Sequence, residues 1–351
     1  MTSVGADLGV EGTGGPGLHS NGDGRDAVIS VAGLTKRYGE LEAVRGIDFE
    51  VRRGETFGFL GPNGAGKTTT IKILCTLAVA TSGKAMVAGY DTSRQRDQVR
   101  RMIGLVFQDT TLDSYLTAEQ NLRFHAALYA VPPAAVTPRL RQVLDMVGLW
   151  DRKDGKVSTF SGGMQRRLEI ARGLLHAPHV LFLDEPTVGL DPQTRSSIWA
   201  YINDLKKRED ITIFLTTHYM DEAENCDRIA IIDHGKIVAI DTPQELKASV
   251  GKDRVQIHTA DDPAAIAALA EGFGIEAGMH EGAVTFSVAS GAEFVPRLFA
   301  GLTVPISSVS VSRPSLDDVF MSYTGSTIRD AEASGTDAMR QMAQRFRGGR
   351  R

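Results

Sequence analysis

The sequence predicts an α/β domain that carries an antiparallel β portion and a helical block, followed by a small C-terminal α+β domain. Three observations predict this. "AVISVAGLTKRYG" (27–39) and "EAVRGIDFEVRRGE" (42–55) alternate apolar and polar residues, as half-buried antiparallel strands do. "TFGFLG" (56–61), "IGLVFQ" (103–108), "HVLFLDE" (179–185) and "TIFLTTH" (212–218) are continuous apolar runs, which suits strands buried on both faces. After Gly251 short strands and helices alternate afresh, in "RVQIHT", "PAAIAALAEGF", "AVTFSVA", "AEFVPRLFAGL" and "ISSVSVS". That rhythm predicts a small ferredoxin-like unit.

Residues 1–26 are Gly-rich with few large apolar side chains. They cannot bury enough surface to offset their ordering entropy, so a disordered tail is expected. Residues 27–250 make the first domain. Its stretch 113–176 reads as helical, with a Pro-marked break at "VPPAAVTP" (131–138). "RIAIIDHGKIVAI" (228–240) reads as a hairpin turned at "DHGK". Residues 251–325 make the second unit, whose last helix, "SLDDVFMSYTG" (315–325), follows Pro314 with Ser315 as N-cap. Residues 326–351 end in "QRFRGGRR", a flexible basic tail by expectation.

The chain has 351 residues, 42% hydrophobic and 23% charged, with a net charge of -4. That is a soluble globular composition, and no global field favours nucleic acid or an anionic membrane. The 2 cysteines, Cys75 and Cys226, offer neither a disulfide framework nor metal-ligand spacing, so a reducing compartment is expected. No apolar run approaches a membrane span, and no signal peptide is expected.

"GPNGAGKTT" is Gly61, Pro62, Asn63, Gly64, Ala65, Gly66, Lys67, Thr68 and Thr69. It matches G-x-x-x-x-G-K-[ST] between a buried strand and a helix, the setting of a phosphate-binding loop. Backbone N–H groups turn inward around phosphates, and Lys67 brings positive charge to the β- and γ-phosphates. The Thr68 hydroxyl can hold Mg²⁺, with Thr69 close by. Asp184, at the end of a buried strand, is placed to support the metal. Glu185, next to it, can act as general base toward an attacking water. "FSGGMQRRLEIAR" (160–172) puts Ser161, Gly162 and Gly163 ahead of an amphipathic helix, a second anion-facing device.

In this order the motifs resemble those of an ABC transporter ATP-binding subunit, over roughly residues 28–250. The resemblance implies the P-loop NTPase fold of an ABC ATPase, with ATP and Mg²⁺ as ligands. It assigns Tyr38 in "KRYG" to adenine stacking, Gln108 in "LVFQD" to the metal or water, Ser161–Gly163 to the signature, Asp191 in "VGLDP" to the dimer interface, and His218 in "LTTH" to the γ-phosphate. It further implies two copies meeting head to tail as a homodimer, each ATP lying between the phosphate loop of one and the signature helix of the other. The pair would power a separately encoded permease from the cytoplasmic face of the membrane, docked near Gln108 and the start of the helical block (114–122). No nucleic acid is expected.

Phe160 and Met164 stand where the usual signature L-S-G-G-Q has Leu and Gln, so the Ser-x-x-Gln capping box is lost. "SGGM" and the later "RPSLDDVF" (313–320) are similar to the daunorubicin-resistance type of ABC ATPase, which implies export of drugs, antibiotics, polyketides or lipids. The alternative is a non-transport ABC ATPase acting on ribosomes or DNA, but no coiled-coil insertion, zinc cysteines or second cassette is visible. A nucleotide kinase or GTPase would leave Ser161–Gly163 and His218 unexplained, and a purely nucleotide-sensing module would not need Glu185.

Overall fold

The computed structural model describes residues 27–325 apart from 210 and 281, and both expected tails lie outside the described residues. In chain order the elements are β1 (Ala27–Tyr38), β2 (Leu41–Arg52), β3 (Thr56–Leu60), α1 (Lys67–Leu74), β4 (Ser82–Val87), β5 (Tyr90–Asp91), α2 (Arg96–Met102) and β6 (Ile103–Val106). Three helices follow, α3 (Ala118–Leu128), α4 (Pro133–Met146) and α5 (Gly162–Leu174). The chain then returns through β7 (Val180–Asp184), α6 (Pro192–Glu209), β8 (Thr212–Thr217), α7 (Met220–Ala223), β9 (Arg228–Asp233), β10 (Lys236–Asp241) and α8 (Pro243–Val250). The second unit is β11 (Asp253–Thr259), α9 (Asp262–Phe273), β12 (Ala277–His280), β13 (Ala283–Val288), α10 (Gly291–Gly301) and β14 (Ile306–Ser312), and α11 (Leu316–Thr324) ends it.

The alternating strands form an antiparallel sheet, β2-β1-β4-β5, and the continuous apolar runs form a central sheet, β10-β9-β3-β8-β7-β6. The central sheet is parallel except for its edge strand β10. Burial explains the difference in pattern. One face of β3, β7 and β8 packs Phe57, Phe59, Phe182 and Phe214 against Phe49 of the antiparallel sheet. The other face packs Leu60, Leu181 and Ile213 against helical residues such as Leu122, Val143, Leu168 and Ile198. β3, β8 and β7 are neighbours in register, with Leu60 opposite Thr217 and Thr216 opposite Asp184. The loops leaving the carboxyl ends of these strands therefore lie side by side, where ligands bind in open α/β sheets.

The expected hairpin is present, and His234 and Gly235 turn it with φ of 45° and 78°, the paired positive values of a type I′ turn. The Pro-marked break is narrower than the sequence suggested. α4 begins at Pro133, where a missing N–H costs nothing, and Pro138 lies inside the helix. The second unit contains a strand that periodicity missed: β12 is four residues long and includes Gly278, too short to show a period. It completes a β-α-β-β-α-β order with the antiparallel sheet β12-β13-β11-β14, the ferredoxin-like topology. α11 is capped by Ser315 as expected, with Asp318 closing a capping box. It packs back on α8, where Leu316, Val319 and Phe320 join Leu246 in the core of the first domain.

Candidate functional site

The loop 61–66 leaves β3 and enters α1. Gly61 N donates to Thr217 O at 3.2 Å, so the loop is pinned to the end of β8. Gly66 holds φ 107°, and a Cβ there would stand 2.6 Å from Ala43 O; only glycine fits this turn. The Lys67 ammonium is buried. It donates to Gly61 O at 2.7 Å and Pro62 O at 3.1 Å and lies 3.2 Å from Glu185 Oε1. Thr68 Oγ1 donates to Asp184 Oδ1 at 3.2 Å, and Thr216 Oγ1 donates to the same oxygen at 2.6 Å.

The two adjacent acids have opposite electrostatics. Burial pushes the Asp184 carboxyl up, and the Glu185 charge adds to this against the pull of Thr216, Thr68 and Lys67. Burial also pushes Glu185 up, but His218 and Lys67 outweigh it and hold that carboxyl below its ordinary range. His218 Nδ1 lies 3.5 Å from Glu185 Oε1. Glu185 has φ 46°, a left-handed conformation costly for a side-chain-bearing residue. Its N–H donates to Thr216 Oγ1 at 3.0 Å, so the strained turn is held by the neighbouring strand.

The structure thus brings Lys67, Thr68, Asp184, Glu185 and His218 together by direct contacts. Gln108 is exposed beyond β6. Tyr38, 48% exposed at the end of β1, has Lys36 Nζ 4.7 Å from its ring centroid. Asp191 caps α6, accepting from Thr194 N at 3.0 Å. Ser161 caps α5, accepting from Met164 N at 3.3 Å. Gln165 Nε2 reaches back to Val157 O and Phe160 O, and a Cβ on Gly163 would strike the Thr194 methyl. Ser161, Gly163 and Met164 line a cavity of about 140 Å³ with Arg167, Thr194 and Tyr201, and no residue of the loop 61–66 lines it.

Buried charged groups were missed by sequence reasoning, Glu222 and Arg166 among them. Glu222 of α7 accepts from the hydroxyls of Thr187 and Thr217, tying the loop after Glu185 to the strand before His218. Arg166 of α5 is 6% exposed and donates to the carbonyls of Phe107, Asp184, Glu185 and Pro186. Neither stood out in the sequence: Arg166 shares its helical face with Glu169 and Arg172, and Glu222 lies in a four-residue helix with no apolar face.

Residues 44–188 match the ABC transporter family, and residues 242–324 match the ATP-binding protein DrrA1-3-like C-terminal domain. The daunorubicin resistance ATP-binding protein DrrA2 of Streptomyces coeruleorubidus is 39% identical over 316 residues, covering 87% of this chain and 97% of that protein. The chain belongs to the ATP-binding proteins of ABC transporters, of the daunorubicin-resistance type. The linearmycin resistance ATP-binding protein LnrL of Bacillus subtilis (strain 168) is 37% identical over 86% of this ATPase and 100% of its own length. A solved dimeric structure of the ATP-binding cassette MJ0796, in a post-hydrolysis state bound to ADP and Pi, matches with a TM-score of 0.55 at 27% identity, covering 61% of the ATPase and 98% of that chain. Members of the family bind ATP and hydrolyse it to power transport. No helix of the described residues of the ATPase is long and apolar enough to cross a membrane.

Proposed function

We propose that this ATPase is the peripheral motor of an exporter, working as a head-to-tail homodimer beneath a separately encoded permease on the cytoplasmic face of the membrane. One observation carries the proposal. The chain holds two anion-facing devices, the loop 61–68 and the Ser161-capped start of α5, and the cavity at the second contains nothing of the first. A second copy would bring the missing half to each site, and the dimeric MJ0796 cassette is a precedent for such pairing.

In this reading Tyr38 stacks on adenine. Gly61–Thr69 wrap the phosphates of ATP, and Lys67 meets the β- and γ-phosphates. Thr68 and Asp184, already joined through oxygen, would hold Mg²⁺ together with Gln108; an all-oxygen donor set fits that hard cation. When bound, Mg²⁺ supplies neutralisation of phosphate charge. Glu185 accepts the proton of the attacking water on its carboxylate, ionised at neutral pH because His218 and Lys67 hold its carboxyl low. His218 faces the γ-phosphate, and Asp191 and Ser161–Gly163 face the partner copy. ATP moves the pair only by binding its closed form better than its open form.

A groove of about 370 Å³ between α1, β6, α3 and α5 supports a docking site for the permease. Leu77, Ile103, Leu105, Phe107 and Tyr129 line it, and Leu77 and the neighbouring Phe124 and Leu128 are exposed. The cargo in this reading is a drug, an antibiotic or polyketide, or a lipid, and the daunorubicin- and linearmycin-resistance names of the relatives support the first of these. Copurification from membranes tests the reading: a multi-span permease is expected, and recovery on ribosomes or DNA instead would favour a non-transport role.

A further inference from the structure

Resting on that reading of Glu185, we infer that Arg166, Glu169 and Arg172 of α5 form a positioning relay that sets the Glu185 turn according to where the segment 107–111 lies. All three are buried, with Glu169 0% exposed. Glu169 Oε2 accepts from Arg166 at 3.1 Å, and its Oε1 lies 3.8 Å from Arg172. The same Oε1 accepts from Thr111 N at 2.7 Å and Thr111 Oγ1 at 3.1 Å, and Arg172 also donates to the Thr111 hydroxyl. One carboxylate therefore ties both arginines to the loop just after Gln108.

The two ends of the relay face different places. Arg172 and Thr111 line the groove of about 370 Å³. Arg166 reaches the other way, donating to Phe107 O at the start of the loop and to three successive carbonyls at the Glu185 turn. A planar guanidinium with several donors fixes all these acceptors at once, which an ammonium cannot do. The turn it holds includes the left-handed Glu185 backbone, a conformation that persists only where its surroundings over-determine it. Movement of Thr111 draws on Glu169, then on Arg166, then on the peptide groups that aim the Glu185 carboxylate. Ser161 caps the start of α5, so the relay joins the groove, the general base and the partner-facing helix start through one helix.

The test uses the full chain and steady-state hydrolysis of MgATP. Arg166→Gln should lower kcat about 10- to 100-fold, the loss expected of a misplaced reacting group, and leave KM within about twofold. Thr111→Val, at an exposed position outside the nucleotide site, should lower kcat several-fold by removing one hydroxyl. The double variant should be no slower than Arg166→Gln alone, because both cuts sever one chain of contacts. Glu169→Gln, which is isosteric, should reproduce the kcat loss at unchanged KM. ATP-dependent dimer trapping in a Glu185→Gln background should survive Arg166→Gln, whereas a general loss of fold would abolish it. Unchanged kcat in Arg166→Gln, independent multiplying losses, or lost trapping would overturn the relay alone. Absence of ATP hydrolysis in the unmodified chain would overturn the reading of Glu185 and the relay with it.

Discussion

Replacing Glu185 by glutamine keeps the volume, the strained turn and one oxygen for Lys67, and removes the negative charge and with it the ability to take a proton. The carboxylate is 6% exposed, 3.2 Å from Lys67 Nζ and 3.5 Å from His218 Nδ1. These neighbours hold it ionised, against the burial that pushes it up. A positioned general base contributes about 10²- to 10⁴-fold, which is about 2.7–5.5 kcal/mol of barrier. The expected result is a kcat reduced by that factor with MgATP affinity retained, because the loop 61–68 is untouched. Phosphate release measures the rate, and light scattering with ATP measures the trapped dimer. Hydrolysis at the normal rate would refute the assignment of Glu185. Slow hydrolysis without a trapped dimer would refute the link between hydrolysis and opening.

Ser161→Arg puts bulk and charge at the start of α5, away from the loop 61–68, so ATP binding by a single copy should persist while dimer closure and hydrolysis disappear; nucleotide titration beside an ATPase assay checks this. Phe320→Ala removes a ring that is 0% exposed between α11 and the first domain and should cost about 3–5 kcal/mol, read by denaturant unfolding. Acidification should destabilise the chain through His125, whose pKa burial and then Arg172 lower from 6.5 to about 4. The unfolded state then binds more protons between those values, so the contribution is whole above pH 6.5 and lost as pH falls toward 4. For a partly exposed ring this amounts to about 1–2 kcal/mol, and His125→Gln should flatten that part of a stability–pH curve.

How far the sequence could be read depended on how local each feature is. The loop 61–69 was legible because strand, turn and helix follow one another in the chain, and the buried strands were legible because both their faces are apolar. Ser161 was legible as an N-cap for the same reason. β12 was not, since four residues with a glycine carry no period. Pro138 marked a break only because a proline's place within a helix depends on where that helix starts.

The sequence by itself determined the chemical inventory: the Gly-rich loop 61–66 ahead of Lys67, the paired acids Asp184 and Glu185, the capped helix at Ser161, and an α/β chain with a smaller α+β unit behind it. Only the tertiary structure decided which groups meet. The order β3-β8-β7 in the central sheet brings Lys67, Glu185 and His218 into contact across long separations in sequence. Packing of α5 beneath the same strand ends buries Arg166 against the Glu185 turn, and α11 crosses back to close the core of the first domain. Hydrophobic periodicity tells each segment which face to bury. It does not tell which other segment will cover that face, and the electrostatics of the site arise at those covered contacts.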